Sequence, residues 1–197
     1  MMRLFHTSDR IIREPDIYAG RRNADFGQGF YLSVEESFGG NWARERTSSD
    51  IYINVYELDL AGVCKPKESG LKVKTFSRDA EWYRFIFNNR RGIRPDEMAG
   101  FDGYDVIIGP VANDTLFETY GIITSGLLTE DQALELLSAG PEYTQTVIKT
   151  EAGLAALKWV DAYMLDEGMI RAARERYEAD RQSFEEQFTA SLESFSG

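Results

Sequence analysis

Cysteine is almost absent from this chain: Cys64 stands alone, so no intrachain disulfide can form. His6 is the single histidine, and no Cys/His set has the spacing of a zinc site, so no metal is expected. A reducing compartment is the default for such a sequence. The start MMRLFHTSDR lacks the apolar run of a signal peptide, and no stretch elsewhere is long and apolar enough to span a bilayer. The expectation is a cytoplasmic protein with no membrane partner. Basic residues are outnumbered, 22 Lys and Arg against 33 Asp and Glu, giving a formal charge of -11. That balance disfavours extended nucleic-acid binding, which draws its affinity from clustered Lys and Arg. One local exception, Arg10, Arg13, Arg21 and Arg22, offers a basic patch for a small anionic ligand. Internal repeats, low-complexity tracts and a GxGxxG opening a helix are also missing, which argues against a Rossmann site.

What is there is an ordinary globular composition, 43% hydrophobic and 28% charged, in 197 residues. That length buries one substantial core more readily than two. Composition shifts after about Asp161 to a charged helical stretch, Met169 to Phe188, with Ile170, Ala173, Tyr177, Phe184 and Phe188 spaced for one face. The chain is therefore divided into a domain over residues 1–160 and an acidic C-terminal helical extension over 161–197. The extension's aromatic stripe either packs on its own domain or docks a partner.

Met2 to His6 reads as a strand, followed by an irregular loop interrupted by Pro15. In DFGQGFYLS, residues 25–33, Gly27 and Gly29 form a turn feeding a strand through Phe30, Tyr31 and Leu32. Ser33 and Glu36 form a capping box for a helix carrying Phe38 and Trp42. Ile51 to Leu60 reads as a long strand, with a phase change near Tyr56 and Glu57 that fits a bulge. Ser77 caps a helix reaching Arg90, with Trp82, Phe85, Ile86 and Asn89 on one face. Tyr104 to Gly109 is a buried strand, Thr129 and Gln132 box a short helix, Tyr143 to Lys149 is a strand, and Thr150 starts a helix. Strands and helices do not alternate regularly, so the class is α+β.

His6 ends the first strand, where a ring nitrogen faces either a cleft or a satisfied structural partner. Tyr31 follows glycines that would let a flat ligand approach the backbone; alternatively Phe30 and Tyr31 are core aromatics on opposite faces, with Phe26 core in either case. Asn113 and Asp114 fit turn satisfaction better than substrate contact, and Trp82, Phe85 and Arg90 brace a helix face.

Together, LFHTS at 4–8, DFGQGFYLS at 25–33, YDVIIGPVAND at 104–114 and YTQTVIKT at 143–150 resemble the bacterial DUF3990 family, grouped with the ADP-ribosyltransferases, over roughly residues 2–160. The resemblance implies a split β-sheet core with flanking helices, an extra C-terminal helix outside it, and NAD as substrate. In the His-Tyr-Glu class, His6 would bind a ribose hydroxyl, Thr7 would hold the nicotinamide amide through its backbone, and Tyr31 would stack on nicotinamide, with Gly27, Gly29 and Phe30 lining that contact. Arg21, or its rival Arg22, either meets the pyrophosphate or is a solvated loop charge. The third position holds Gln145 instead of Glu. Cleavage of the nicotinamide–ribose bond passes through an oxocarbenium-like state that a carboxylate stabilises, and a neutral Gln keeps the hydrogen bond without the charge.

Three accounts of that departure remain open: different acceptor chemistry, a carboxylate from Glu142, or NAD binding without fast turnover. The implied activity is mono-ADP-ribosyl transfer to a macromolecular or nucleotide acceptor, in a family whose members are often toxins or effectors, with an antitoxin or regulatory protein as a further partner. The alternative is an NAD- or nucleotide-binding module that lost catalysis.

Overall fold

The computed structural model describes residues 1–37, 50–60, 70–93, 103–112 and 127–195. The predicted Phe38–Trp42 helix, Cys64, Asn113 and Asp114 lie outside those residues. The strands are β1 (Met2–Ser8), β2 (Phe30–Ser33), β3 (Tyr52–Leu58), β4 (Val73–Thr75), β5 (Val106–Pro110), β6 (Thr144–Ile148) and β7 (Leu157–Met164). The helices among the described residues are α1 (Ala80–Arg90), α2 (Glu130–Leu137), α3 (Glu151–Ala155) and α4 (Glu167–Phe195). The strands join in the order β4-β5-β6-β2-β1-β3-β7, antiparallel except for the parallel β4–β5 pair. The class is α+β, as the irregular alternation of elements requires.

Pairing is uneven across the sheet. β1 matches β3 along its whole length, from Met2↔Leu58 to Ser8↔Tyr52, whereas β1 and β2 register at Phe5↔Ser33 alone. Side chains alternate between faces, and residues opposite each other share one. Phe5, Ser33 and Gln145 therefore share a face with Tyr31 and Val147, while Leu4, His6, Phe30 and Leu32 take the other. Buried clusters follow from this, one of them formed by Phe5, Ile51, Ile53, Val55 and Leu165. Phe26, Phe76, Trp82, Phe85, Ile107 and Val147 pack beneath α1 on the first face. Leu4, Phe30, Leu32, Tyr56, Leu58 and Ile148 pack on the second, closed by Ile17.

Several sequence expectations shift in this frame. α1 buries Trp82, Phe85, Ile86 and Asn89 as its spacing predicts, but its N-cap is Asp79, not Ser77, with the carboxylate accepting from Trp82 N. A carboxylate beside the first turn also meets the positive end of the helix dipole. Thr129 and Gln132 form the predicted capping box of α2. Ser33 is instead the last residue of β2, and its hydroxyl takes the Glu35 N–H. The irregularity expected near Tyr56 falls between Val55 and Tyr56 in the pairing with β7, where Val160 of β7 is the extra residue, while the pairing with β1 is unbroken. The phase change in β3 marks which face carries apolar residues: Ile53 and Val55 on one, Tyr56 and Leu58 on the other.

β4 and β7 were not legible as strands. The bulge at Val160 sends Leu157 and Trp159 to one face and Tyr163 to the other, which breaks the alternation that identifies a strand. The 160/161 boundary falls inside β7, and the helical extension begins at Glu167. α4 buries Ala173 and Phe184, and its Asp180 and Gln187 accept from Tyr143 OH and Gly140 N. Of its stripe, Ala173 and Phe184 are the residues buried against the chain itself.

Candidate active site

The DFGQG segment is a turn closed on itself by Tyr31. Its hydroxyl donates to Gly27 O at 2.6 Å and accepts from Phe26 N at 3.0 Å. Burial, then the negative charge of Asp25, pushes the Tyr31 phenol well above its ordinary value, so it stays neutral and keeps donating. Gly27 has φ 72°, the left-handed region that glycine occupies without cost. At Gly29 a Cβ would lie 2.6 Å from Ile148 O, so the close approach of turn to β6 excludes any side chain.

Lys149, just past β6, holds the same turn from below. Its ammonium donates to Phe26 O and Gln28 O, both at 2.5 Å, on either side of Gly27. Burial lowers its pKa from 10.5 to about 8. A neutral amine still has two hydrogens, so both bonds survive deprotonation. The signal available in the sequence was a lysine in phase with Val147 on the buried side of a strand.

Asp25 is the hub that the sequence reading missed. Its Oδ1 accepts from Arg90 Nε at 2.8 Å and Nη2 at 2.5 Å, and its Oδ2 from Ala112 N at 3.2 Å and Gln145 Nε2 at 3.1 Å. Asn89 Nδ2 donates to the Asp25 carbonyl. The Arg90–Asp25 pair is buried, at 7% and 12% side-chain exposure, a setting in which charges must be paired and fully bonded. Arg90, expected to brace a helix face, therefore anchors the turn. Gln145 is buried and also donates to Pro110 O at 3.2 Å. Glu142 turns away, 61% exposed and 3.9 Å from Arg78 Nε, so it does not supply a carboxylate beside Gln145.

His6 lies on the opposite face from Tyr31 and Gln145. Its ring sits 4.5 Å from that of Phe30, which is a core residue, and its Nδ1 lies 2.7 Å from Tyr31 O. Nδ1 is the donor there, because a carbonyl oxygen only accepts. This bond bridges β1 and β2 beyond their pairing at Phe5↔Ser33. His6 and Tyr31 thus meet through the Tyr31 main chain, and the three side chains do not converge directly. Thr7 is buried on the Tyr31 face, and Phe26 is core, stacked on Phe76 at 5.7 Å.

Arg10, Arg13, Arg21 and Arg22 are exposed, with Arg13 lying over the Trp159 ring at 5.0 Å. Asn54 fastens the loop after β1 by donating to Arg10 O and accepting from Ile12 N. Among the described residues no group of His, Cys, Asp and Glu could hold a metal ion, and no helix is long and apolar enough to cross a membrane.

No curated protein and no solved structure matches the chain. One family model does, described as "Protein of unknown function (DUF3990)", over residues 2–159, which takes in the β1 histidine, the DFGQG turn, β5 and β6. With most of its length and every element of the candidate site inside that match, the chain belongs to the DUF3990 family.

Proposed function

We propose that this chain binds NAD where β1 and β2 part, and transfers ADP-ribose from it to a macromolecular or nucleotide acceptor. The supporting observation is the His6 Nδ1 contact with Tyr31 O, which joins the first-strand histidine to the aromatic residue of the glycine turn across the least-paired junction of the sheet. A ligand entering there meets His6 from one side and the Thr7–Tyr31 face from the other. In this reading His6 serves a ribose hydroxyl, the Thr7 backbone the nicotinamide amide, the Tyr31 ring the nicotinamide plane, and Arg21 the pyrophosphate. The bond between nicotinamide nitrogen and ribose C1′ breaks with its electron pair leaving on nicotinamide. The acceptor's lone pair forms the new bond to C1′, and its proton passes to solvent. Such a chain acts as a toxin or effector, with an antitoxin or regulatory protein as its partner.

One observation favours a second reading, an NAD-binding module with little turnover. Gln145 is neutral, and both of its amide hydrogens are engaged by Asp25 and Pro110. Asp25, the nearby carboxylate, is paired with Arg90 and accepts from that amide. Incubation with NAD separates the two: release of nicotinamide supports the transferase, and saturable binding without release supports the module. Absence of any NAD-dependent shift in thermal stability would exclude both.

A further inference from the structure

An amide side chain has one acceptor end and one donor end, and its two orientations differ by a half-turn about the last side-chain bond. At Gln145 the neighbours choose between them. Asp25 Oδ2 at 3.1 Å and Pro110 O at 3.2 Å are both pure acceptors, so only the NH2 end can face them; the flipped amide would set oxygen against oxygen twice. Asp25 itself cannot turn aside, since Arg90 holds its Oδ1 through two nitrogens and Ala112 N holds its Oδ2. The chain of contacts Arg90, Asp25, Gln145 therefore ends in a carbonyl oxygen of fixed direction. Gln145 Oε1 accepts from no group among the described residues, although the residue is only 7% exposed.

From this the geometry points to Asp25 as a positioning residue that locks Gln145 as an acceptor-only contact, selecting ligands that present a hydroxyl donor. A phosphate or carboxylate oxygen brought to Oε1 is repelled, while a ribose hydroxyl is received. The inference rests on the NAD reading above and names the part of NAD that meets Gln145: a hydroxyl of the nicotinamide ribose. Loss of the lock leaves the residue in place and lets the amide flip, so its expected signature is lost discrimination, not lost folding.

The test is a ratio of affinities, measured calorimetrically for NAD and for its analogue lacking the 2′-hydroxyl of the nicotinamide ribose. Wild type is expected to prefer NAD by about tenfold, the order of one buried hydrogen bond. Asp25→Asn, which can offer its own N–H to Gln145, is expected to bring the ratio close to one. A general loosening of the site would weaken both ligands together and leave the ratio intact. Should Asp25→Asn fail to fold, Gln145→Met removes the amide at similar size and must also abolish the preference. A ratio retained in either folded variant, or equal binding of both ligands by wild type, overturns the inference while leaving the NAD reading standing. No NAD binding by wild type overturns both.

Discussion

Arg90, in the last turn of α1, grips Asp25 of the glycine turn through Nε and Nη2, so that one helix fixes a loop 65 residues away in sequence. The pair joins the core beneath α1 to the candidate site, because the same carboxylate continues to Gln145 on β6.

Removing one partner of such a pair strands a charge in a poorly solvated place. Arg90→Met is expected to lower unfolding stability by about 3 kcal/mol in urea denaturation, and Arg90→Lys by less. A loss under about 0.5 kcal/mol, the size of an exposed pair's contribution, would mean that water reaches Asp25 freely.

The two glycines of the turn are needed for different reasons and should fail to different degrees. Gly27→Ala pays for a positive φ and crowds Lys149 Nζ and Asn89 Oδ1 at 3.1 and 3.2 Å, both ends of side chains that can yield. A cost of about 1 kcal/mol is expected. Gly29→Ala drives a methyl into Ile148 O at 2.6 Å and Val147 Cγ1 at 2.7 Å, where β6 cannot retreat without breaking its pairing. It should melt several degrees below Gly27→Ala; the reverse order would contradict the turn geometry.

Lys149 makes a prediction about pH whose sign follows from its lowered pKa. Between about 8 and 10.5 the unfolded chain holds more protons at this residue than the folded one. Stability therefore rises with pH across that window from this group, having carried the burial penalty of the charge below it. Comparing wild type with Lys149→Met by chemical denaturation at pH 7 and pH 10 isolates the contribution. The wild type should gain on the variant at the higher pH, and a loss would show that the carbonyl contacts hold the ammonium charged.

His6→Ala and Tyr31→Phe separate ligand contact from folding better than a Tyr31→Ala change does. The His6 ring hydrogen-bonds Tyr31 O, so its removal should cost about 1 kcal/mol of stability and weaken NAD binding at least tenfold. Tyr31→Phe keeps the ring that would stack on nicotinamide and removes the hydroxyl that closes the turn. It should lower the melting temperature while changing NAD affinity less than His6→Ala does. Unchanged affinity in folded His6→Ala would remove the histidine from the site.

Much of the fold could be read directly because its signals are local. The capping box at Thr129 and Gln132, the buried stripe Trp82, Phe85, Ile86 and Asn89, and the alternation from Thr144 to Ile148 each depend on residues within a few positions of one another. Of the candidate site, the residues His6, Tyr31 and Gln145 were legible as a pattern, and their surroundings were not. Glu142 reads as well placed by its distance along the chain, but the chain direction after Pro141 carries it to Arg78. Asp25 reads as part of a glycine turn and Arg90 as a brace of its helix face, since nothing local announces an ion pair spanning 65 positions.

By itself the amino-acid order determined the α+β class, the glycine-bearing turn before Tyr31 and the starts of α2 and α3, because backbone propensity and side-chain periodicity act over short range. Only the tertiary structure decided which face each strand residue occupies, that His6 meets Tyr31 through a main-chain carbonyl, and that Gln145 is oriented by Asp25. Those facts depend on strand register and on hydrogen bonds between distant segments, which are settled when the sheet assembles and the polar groups it buries must find partners.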